Sequence, residues 1–262
     1  MPENTSHFAS LDCQRLRCLR DLGVQTDCFF DVGASNGWWS RLVGGEFPEA
    51  RFEMFEPLSD HVPAYAEPMK ELLQQSPRFH LHKCALGTKS GKIQMDLLPD
   101  NPFGSTALQL KHRPKDSRSV QIEMRTIDDC VADMNLPVPN IIKMDTQGCE
   151  LTILQGAQKT LPKVDALLCE TWMVRTYGPD TPLLIELANW LRDAGFYLWD
   201  FGDVYREENG TLTSQDCIFL NARHKISRLS DELSNHSPTI TDGSSHLASR
   251  KTWKDRLRKV FQ

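Results

Sequence analysis

Residues 28–40 read CFFDVGASNGWWS and predict a strand, a tight turn and a helix in immediate succession. The run Cys28–Asp31 leads directly into a glycine-rich turn, which is typical of a short buried strand. Gly33 and Gly37 let the backbone turn sharply and approach a ligand closely. The helix predicted to begin over 36–43 offers free N–H groups at its start. This stretch therefore predicts a ligand-binding turn.

The rest of the chain continues the alternation of strands and helices. Apolar runs predict further strands at 51–57, 78–87, 140–145, 164–170, 196–201 and 215–220. Helical patterns occur at 10–22, 58–75, 149–160 and 181–195, and the second of these is expected to be interrupted by Pro63 and Pro68. Residues 91–126 contain β-like runs and predict a β-hairpin insertion over the mouth of the sheet. The pattern indicates an α/β fold with a mostly parallel, doubly wound, Rossmann-like sheet.

Composition indicates a globular chain of 262 residues, of which 40% are hydrophobic and 25% are charged. We expect one domain over 1–221, a flexible linker over 222–249 and a basic amphipathic helix over 250–262. No run approaches the roughly 18 apolar residues of a membrane span, and the N-terminal residues lack a signal-peptide core, so we expect a cytoplasmic protein. The eight cysteines form no CxxC pair and no zinc-like spacing, and we predict no metal site.

The net charge of −5 is unevenly distributed along the chain. Residues 221–262 carry nine Lys or Arg and four Asp or Glu, a net +5, which leaves −10 on residues 1–220. An acidic body argues against nucleic acid as the main partner, because contacts to phosphates need a basic face.

The spacing of the glycine turn helps to separate two classes of cofactor. The dinucleotide fingerprint is GxGxxG, and Ser35 stands here where its second glycine would lie. That glycine lets the backbone reach a pyrophosphate, so the serine weakens the interpretation as an NAD-binding turn. The turn fits a cofactor without phosphate, such as S-adenosylmethionine (SAM).

Two later strand ends add residues that suit a nucleoside. Glu56 lies nineteen residues after Gly37, at the end of the second predicted strand, where an acid can accept hydrogen bonds from both ribose hydroxyls. The alternative is a solvated glutamate at a strand end. Pro57 follows directly, and Ala85 and Leu86 end the third predicted strand, where apolar side chains suit the face of an adenine ring.

The segment KMDTQGCE, residues 143–150, places another acid at a strand end. Ligands of open α/β sheets bind at the carboxyl ends of strands near the switch in strand order, so Asp145 and Asp31 should lie near one crevice. Glu170 ends the next predicted strand at the same edge. For Glu150, in the first turn of the following helix, capping and a functional role are equally consistent with the position.

Taken together, these segments resemble the FkbM-type methyltransferases. The resemblance covers about residues 16–220 and rests on FFDVGASNGWWS, FEP, CALG, FGSTAL, RTIDD, LLCE and above all IKMDTQGCELTILQGA. It implies a SAM-dependent O-methyltransferase that acts on a sugar, a glycolipid or another hydroxylated metabolite. It carries SAM binding onto Asp31, Gly33, Ala34, Asn36, Gly37 and Glu56. Ser35–Asn36 departs from the usual Ala-Asn order, and Gln147 stands where the family often has glutamate.

The resemblance and the strand ends together yield a hypothesis for catalysis. An alcohol must lose a proton when it is methylated, and a nearby base accelerates this step. Asp145 is the first candidate for that base, and Glu170 is the second. The predicted hairpin could line the acceptor cavity with Ser105 and Thr106. The aromatic rings of Trp172 and Tyr177 could face a sugar, or they could be ordinary packing residues.

Two rival functions remain open on the sequence. One is an NAD-dependent oxidoreductase on the same fold, against which Ser35 argues. The other is a binding or scaffold protein that has kept the fold and lost catalysis, since fold does not fix function. The glycine turn together with Glu56 and Asp145 argues against this second rival.

The tail carries a separate prediction. In residues 250–262, Trp253, Leu257, Val260 and Phe261 share one face of a predicted helix with six basic residues around it. Such a helix can lie on an anionic membrane or pack on an acidic protein surface. If the helix lies on a membrane, a chain that ends near Arg223 should lose binding to anionic vesicles in a sedimentation assay. Equal binding by the truncated and full chains would contradict a membrane role.

Overall fold

The computed structural model describes residues 5–98, 105–108 and 118–224. The predicted C-terminal helix and nearly all of the predicted linker lie outside these residues. The helices are α1 (Thr5–Asp21), α2 (Trp38–Glu46), α3 (Pro63–Gln75), α4 (Ile127–Asp133), α5 (Glu150–Gln155) and α6 (Leu184–Asp193). The strands are β1 (Cys28–Val32), β2 (Arg51–Phe55), β3 (Phe79–His82), β4 (Ala85–Leu86), β5 (Gly91–Leu97), β6 (Arg118–Arg125), β7 (Ile141–Met144), β8 (Ala166–Trp172), β9 (Phe196–Arg206) and β10 (Leu212–Asn221).

The main sheet confirms the predicted fold class. Its seven strands follow the order β3-β2-β1-β7-β8-β10-β9. The first five in this order pair in parallel, and β10 pairs antiparallel with both β8 and β9. The strand order reverses between β1 and β7, so the crevice expected of such sheets opens at their carboxyl ends.

A second, three-stranded sheet has the order β4-β6-β5. Its strands β5 and β6 pair antiparallel, as expected for the predicted hairpin insertion. The prediction of one strand over 78–87 is wrong, because the chain leaves the main sheet after His82 and joins β6 at Ala85. The reason is packing: Phe79 lies against Phe52 in the main sheet, whereas Ala85 joins Met95, Val120 and Ile122 in a separate apolar cluster.

The central strands are buried on both faces, which explains their continuous apolar sequences. All five residues of β1 are buried, and the Phe29 ring stacks on Phe52 with centroids 5.0 Å apart. Cys28, Cys84, Cys169 and Cys217 are buried free thiols in this core, as the apolar runs around them predict. Among the described residues, no helix is both long and apolar enough to cross a membrane.

The helices differ from the sequence predictions at several points. Helix α3 begins at Pro63, a favoured first position, and continues through Pro68, so the expected interruption there is wrong. Helix α5 ends at Gln155, earlier than predicted, and Gly156 follows as its C-cap. An added Cβ at Gly156 would stand 2.0 Å from the Gly87 carbonyl oxygen, so this position requires glycine. The sequence analysis missed α4, whose first turn is capped by a hydrogen bond from Asp129 N to Thr126 Oγ1.

One close approach holds the ends of β1 and β7 together. A Cβ atom added to Gly33 would lie 2.0 Å from the Asp145 carbonyl oxygen, a distance that real Cβ atoms do not reach. Gly33 also has a φ of +77°, which disfavours other residues. Glycine at this position therefore lets the two loops meet.

This contact predicts a large effect of Gly33→Ala. The matched control is Gly23→Ala, because Gly23 has a φ of +91° but open space around its Cβ position. The control carries only the backbone cost of about 1–2 kcal/mol. Gly33→Ala is expected to lower the free energy of unfolding by at least about 2 kcal/mol more than the control, in urea unfolding. Equal losses in the two variants would contradict the close approach.

Candidate active site

The turn after β1 is held against β2 by backbone hydrogen bonds. Gly33 N and Ala34 N donate to Phe55 O at 3.0 and 3.1 Å, and Ser35 N donates to Glu56 Oε2 at 2.8 Å. Ser35 adopts a φ of +53°, a left-handed conformation that costs a serine energy. The turn is therefore a rigid wall whose shape depends on Glu56.

Glu56 is buried, with 5% of its surface exposed, and its carboxylate is only partly satisfied by the protein. One oxygen accepts from Ser35 N and the other from Leu58 N, each at 2.8 Å. A carboxylate oxygen has two acceptor sites, so each oxygen can accept one more hydrogen bond. Burial raises the pKa of Glu56 to about 7, despite the two backbone donors.

Glu56 contributes to a first cavity of about 200 Å³. Its wall contains the predicted residues Gly33, Glu56, Pro57, Ala85, Leu86, Ser105, Thr106 and Asp145. The sequence analysis missed several apolar lining residues, among them Leu58, Tyr65, Met95 and Ile153. Tyr65 could have been suggested by its position in the helix that follows the Glu56 strand, whereas Met95 reaches the cavity from the second sheet, whose place the sequence does not reveal.

A second cavity, of about 390 Å³, adjoins the first. Gly33, Ser35 and Asp145 line both cavities, so the two meet at the ends of β1 and β7. The predicted residues Ala34, Asn36 and Glu170 line the second cavity. Residues that the sequence analysis did not assign to the site complete this wall, notably Asp12, Trp38, Trp39, Asp203, Tyr205 and Asp216.

A lysine whose side chain is 13% exposed carries the positive charge at the junction. Lys143 Nζ lies 3.4 Å from Asp31 Oδ1 and 3.7 Å from Asp145 Oδ2. Burial alone would lower the pKa of Lys143, but the two carboxylates outweigh it and the net effect is to raise the pKa. Asp31 is fully buried and also accepts from Ser40 Oγ at 2.6 Å. Asp31 therefore contributes to the site through Lys143.

The side-chain amide of Gln147 forms hydrogen bonds with two acids, Asp145 and Glu170. Gln147 Nε2 donates to Asp145 Oδ1 at 2.6 Å and to Glu170 Oε2 at 3.1 Å. Ser214 Oγ donates to the other oxygen of Glu170 at 3.0 Å. Burial, with Asp145 and other acids nearby, raises the pKa of Glu170 to about 10. Glu170 therefore holds a proton at neutral pH.

Glu150 supports the loop between β7 and α5. Its Oε1 accepts from Thr146 N at 3.1 Å, from Thr146 Oγ1 at 3.0 Å and from Gly148 N at 3.2 Å. These bonds satisfy N–H groups just ahead of the helix, which is the capping alternative for this residue.

The remaining predicted residues lie beside the cavities. Among the residues that the structure describes, Asp31, Gly37, Trp172 and Tyr177 stand outside both walls. Gly37 faces α3, where an added Cβ would lie 2.7 Å from Leu72. Trp172 packs edge-on against Tyr177, with ring centroids 5.0 Å apart, and the Tyr177 hydroxyl donates to Gln147 Oε1. Tyr177 thus reaches the site through Gln147.

The sequence of this chain matches a known protein family. The family described as "Methyltransferase FkbM domain" matches residues 31–198, which include both cavity-lining turns. The chain belongs to the FkbM methyltransferase family. Family membership favours methyl transfer over the oxidoreductase alternative.

Two named relatives of this FkbM protein are methyltransferases. The 2-O-methyltransferase NoeI of Sinorhizobium fredii is 26% identical over 167 residues, which cover 58% of this chain and 66% of the relative. The hexuronic acid methyltransferase AglP of Haloferax volcanii is 24% identical over 156 residues, which cover 59% of this chain and 60% of the relative. The matches thus span less than two thirds of these relatives' length.

Solved structures also resemble the FkbM chain. The methyltransferase FkbM from Methylobacillus flagellatus KT is 20% identical and has a TM-score of 0.47, covering 74% of this chain and 43% of its own. The SAM-bound magnesium protoporphyrin IX methyltransferase of Synechocystis PCC 6803 is 10% identical and has a TM-score of 0.48, covering 83% and 80% of the two chains.

If Glu56 accepts hydrogen bonds from SAM, as the sequence analysis expects, its buried carboxyl predicts a pH-dependent affinity for SAM. A protonated carboxyl loses acceptor capacity, so SAM binding should weaken as the pH falls through the Glu56 pKa of about 7. We expect the dissociation constant to rise about tenfold from pH 8 to pH 6 in calorimetric titrations. In Glu56→Gln this increase should disappear. An equal increase in the variant would assign the pH dependence to SAM or to another residue.

Proposed function

We propose that this methyltransferase uses SAM to methylate a hydroxyl group of a sugar, a glycolipid or another hydroxylated metabolite. The observation that carries the proposal is the position of Asp145, which lines both cavities where they meet. A base at such a junction can contact an acceptor in one cavity beside a methyl donor that extends from the other.

The first cavity fits the nucleoside part of SAM. The free acceptor sites of Glu56 suit two ribose hydroxyls. Ala85, Leu86 and Ile153 provide apolar surface for an adenine ring. When bound, SAM supplies a methyl group on a sulfonium, which is released as a thioether when the acceptor oxygen takes the methyl group. The residues therefore fit this cofactor.

The second cavity fits a polyhydroxylated acceptor. Its wall combines carboxyl groups, which accept hydrogen bonds from hydroxyls, with the rings of Trp38, Trp39 and Tyr205. The named relatives NoeI and AglP, a 2-O-methyltransferase and a hexuronic acid methyltransferase, support a sugar-type acceptor.

The charge of the second cavity limits the class of sugar that we propose as the acceptor. Five acids line it, namely Asp12, Asp145, Glu170, Asp203 and Asp216, and the ammonium of Lys143 is the one positive charge among the described lining residues. Glu170 holds its proton at neutral pH, and burial together with neighbouring acids also raises the pKa of Asp216, so the site already disfavours negative charge. The Lys143 ammonium already lies beside Asp31 and Asp145. A uronic acid would bring a further negative charge into this field, which is costly in a partly buried site. We therefore propose a neutral or amine-bearing sugar as the acceptor.

Asp145 is the proposed base. Its side chain is 46% exposed, so an acceptor hydroxyl can reach it, and Lys143 Nζ stabilises its negative charge from 3.7 Å. As the acceptor oxygen gains the methyl group, its proton moves to a carboxylate oxygen of Asp145. The rigid turn after β1 and the loop after β7 keep the two reactants in place, which supplies much of the rate enhancement.

Asp145→Asn tests this role. We expect kcat to fall at least tenfold, with the dissociation constant of SAM within about threefold of wild type, because the amide keeps the shape but cannot take a proton. Methyl transfer from labelled SAM to methyl glucoside or glucosamine measures the effect. The matched control, Asp133→Asn at the exposed end of α4, should behave as wild type. Near-normal turnover in Asp145→Asn would remove it from catalysis.

The acceptor class has its own test. Methyl glucoside, glucosamine and glucuronate are compared at equal concentration with wild-type protein. We expect the uronate to be methylated at least tenfold more slowly than the better of the other two, because of the acidic wall. A preference for glucuronate would contradict the proposed acceptor class.

A further inference from the structure

We infer that Gln147 is a positioning residue for methyl transfer, whose amide orients Asp145 toward the acceptor and separates it from Glu170. The inference rests on the proposed function, in which Asp145 takes the acceptor proton. Gln147 lies in the loop between β7 and α5 and contributes to the wall of the first cavity.

The backbone around Gln147 is fixed in an unusual conformation. Gln147 has a φ of +55°, which non-glycine residues rarely adopt. Thr106 Oγ1 donates to Gln147 O at 2.8 Å, and Gly148 N donates to Glu150 Oε1 at 3.2 Å. Strained residues persist where the surroundings determine them and concentrate at functional sites. The loop thus aims this side chain in one direction.

The side-chain chemistry of Gln147 matches its three neighbours. An amide offers two N–H donors and one carbonyl acceptor. The donors bind Asp145 Oδ1 at 2.6 Å and Glu170 Oε2 at 3.1 Å, and the carbonyl accepts from the Tyr177 hydroxyl. A glutamate has the same size but no N–H, and a methionine has similar length with neither group. Only the amide satisfies both acids and the phenol.

The surrounding charges explain why the amide matters. Glu170 and Asp145 face one another across Gln147, so without a donor between them they would repel or share a proton. Lys143 lies on the Asp145 side, whereas Glu170 has further acids near it. The ionisable groups that face this cluster come from β7 and the loop after it, α5, β8 and the loop after it, β9 and β10: Lys143, Asp145, Glu150, Glu170, Tyr177, Tyr205 and Asp216.

Two variants distinguish an effect of added charge from an effect of lost positioning: Gln147→Glu adds a carboxyl and Gln147→Met does not. Both are assayed kinetically with the best acceptor among methyl glucoside, glucosamine and glucuronate. Both variants should lower kcat at least tenfold at pH 7.5, with SAM affinity within about threefold of wild type. Gln147→Glu should also move the acid limb of the kcat profile up by about one pH unit or more, because a third carboxyl raises proton affinity. Gln147→Met removes the donor but adds no carboxyl, so it should move the limb up less than Gln147→Glu does.

The control is the same substitution at an exposed site, Gln158→Glu, which should match wild type in rate and profile. Wild-type rate with an unshifted profile in Gln147→Glu would overturn the inference. So would a lowered SAM affinity that accounts for the whole rate loss in both variants, because the role would then be structural.

Thermal unfolding at several pH values tests the contact of residue 147 with Asp145 and Glu170 without any acceptor. In Gln147→Glu the added carboxyl would lie beside Asp145 and Glu170, so we expect its pKa to be raised in the folded protein. The stability contribution of its protonated form is then present at low pH and is lost as the pH rises. The melting temperature of Gln147→Glu should therefore fall below wild type by about 3 °C more at pH 8 than at pH 5. If wild type methylates no sugar, the proposed function fails and this series alone decides. The same pH dependence in Gln147→Glu and Gln158→Glu would overturn the inference.

Discussion

The structure depends on the contact between the Gly33 backbone and the Asp145 carbonyl oxygen, where a Cβ would lie at 2.0 Å. This approach brings the turn after β1 onto the loop after β7, at the point where strand order reverses. The cavity walls follow from it, because Gly33 and Asp145 line both. A side chain at residue 33 would separate the two loops, and with them the proposed nucleoside and acceptor sites. Glycine at residue 33 is thus required for the packing of the two loops, whether or not the turn binds a ligand.

The second feature of the site is the arrangement of charged side chains around the junction of the two cavities. Lys143 lies behind the junction and is shared by Asp31 and Asp145, so the one ammonium among the described residues lining the second cavity is already compensated. The other acids around that cavity have weaker compensation, and Glu170 and Asp216 respond with raised pKa values caused first by burial. Asp145 is exposed and lies beside the lysine, whereas Glu170 holds its proton. The two carboxyl groups therefore differ in protonation and in role, and the amide of Gln147 lies between them.

The sequence pattern predicted the features that depend on residues close together in the chain. The buried strands, the glycine turn, and the acids Glu56 and Asp145 at strand ends follow from apolar runs and turn residues, and the family resemblance supported them. Residues of the second cavity such as Asp12 and Asp216 come from α1 and β10, which are distant in sequence and meet only through the sheet order. The split of 78–87 between two sheets depends on partners forty residues away, which periodicity cannot reveal. Gln147 was noted as a departure from the family, but its three contacts needed the fold.

The central claim is that the ends of β1, β2 and β7 bind SAM through Glu56, and calorimetric titration of the full chain with SAM, S-adenosylhomocysteine and NAD tests it most directly. The account predicts micromolar binding of the first two, at least tenfold weaker binding in Glu56→Ala because two hydrogen bonds are lost, and no binding of NAD. Glu67→Ala, on the exposed face of α3, should bind as wild type does. Binding of NAD, or no binding of SAM and S-adenosylhomocysteine, would contradict the account.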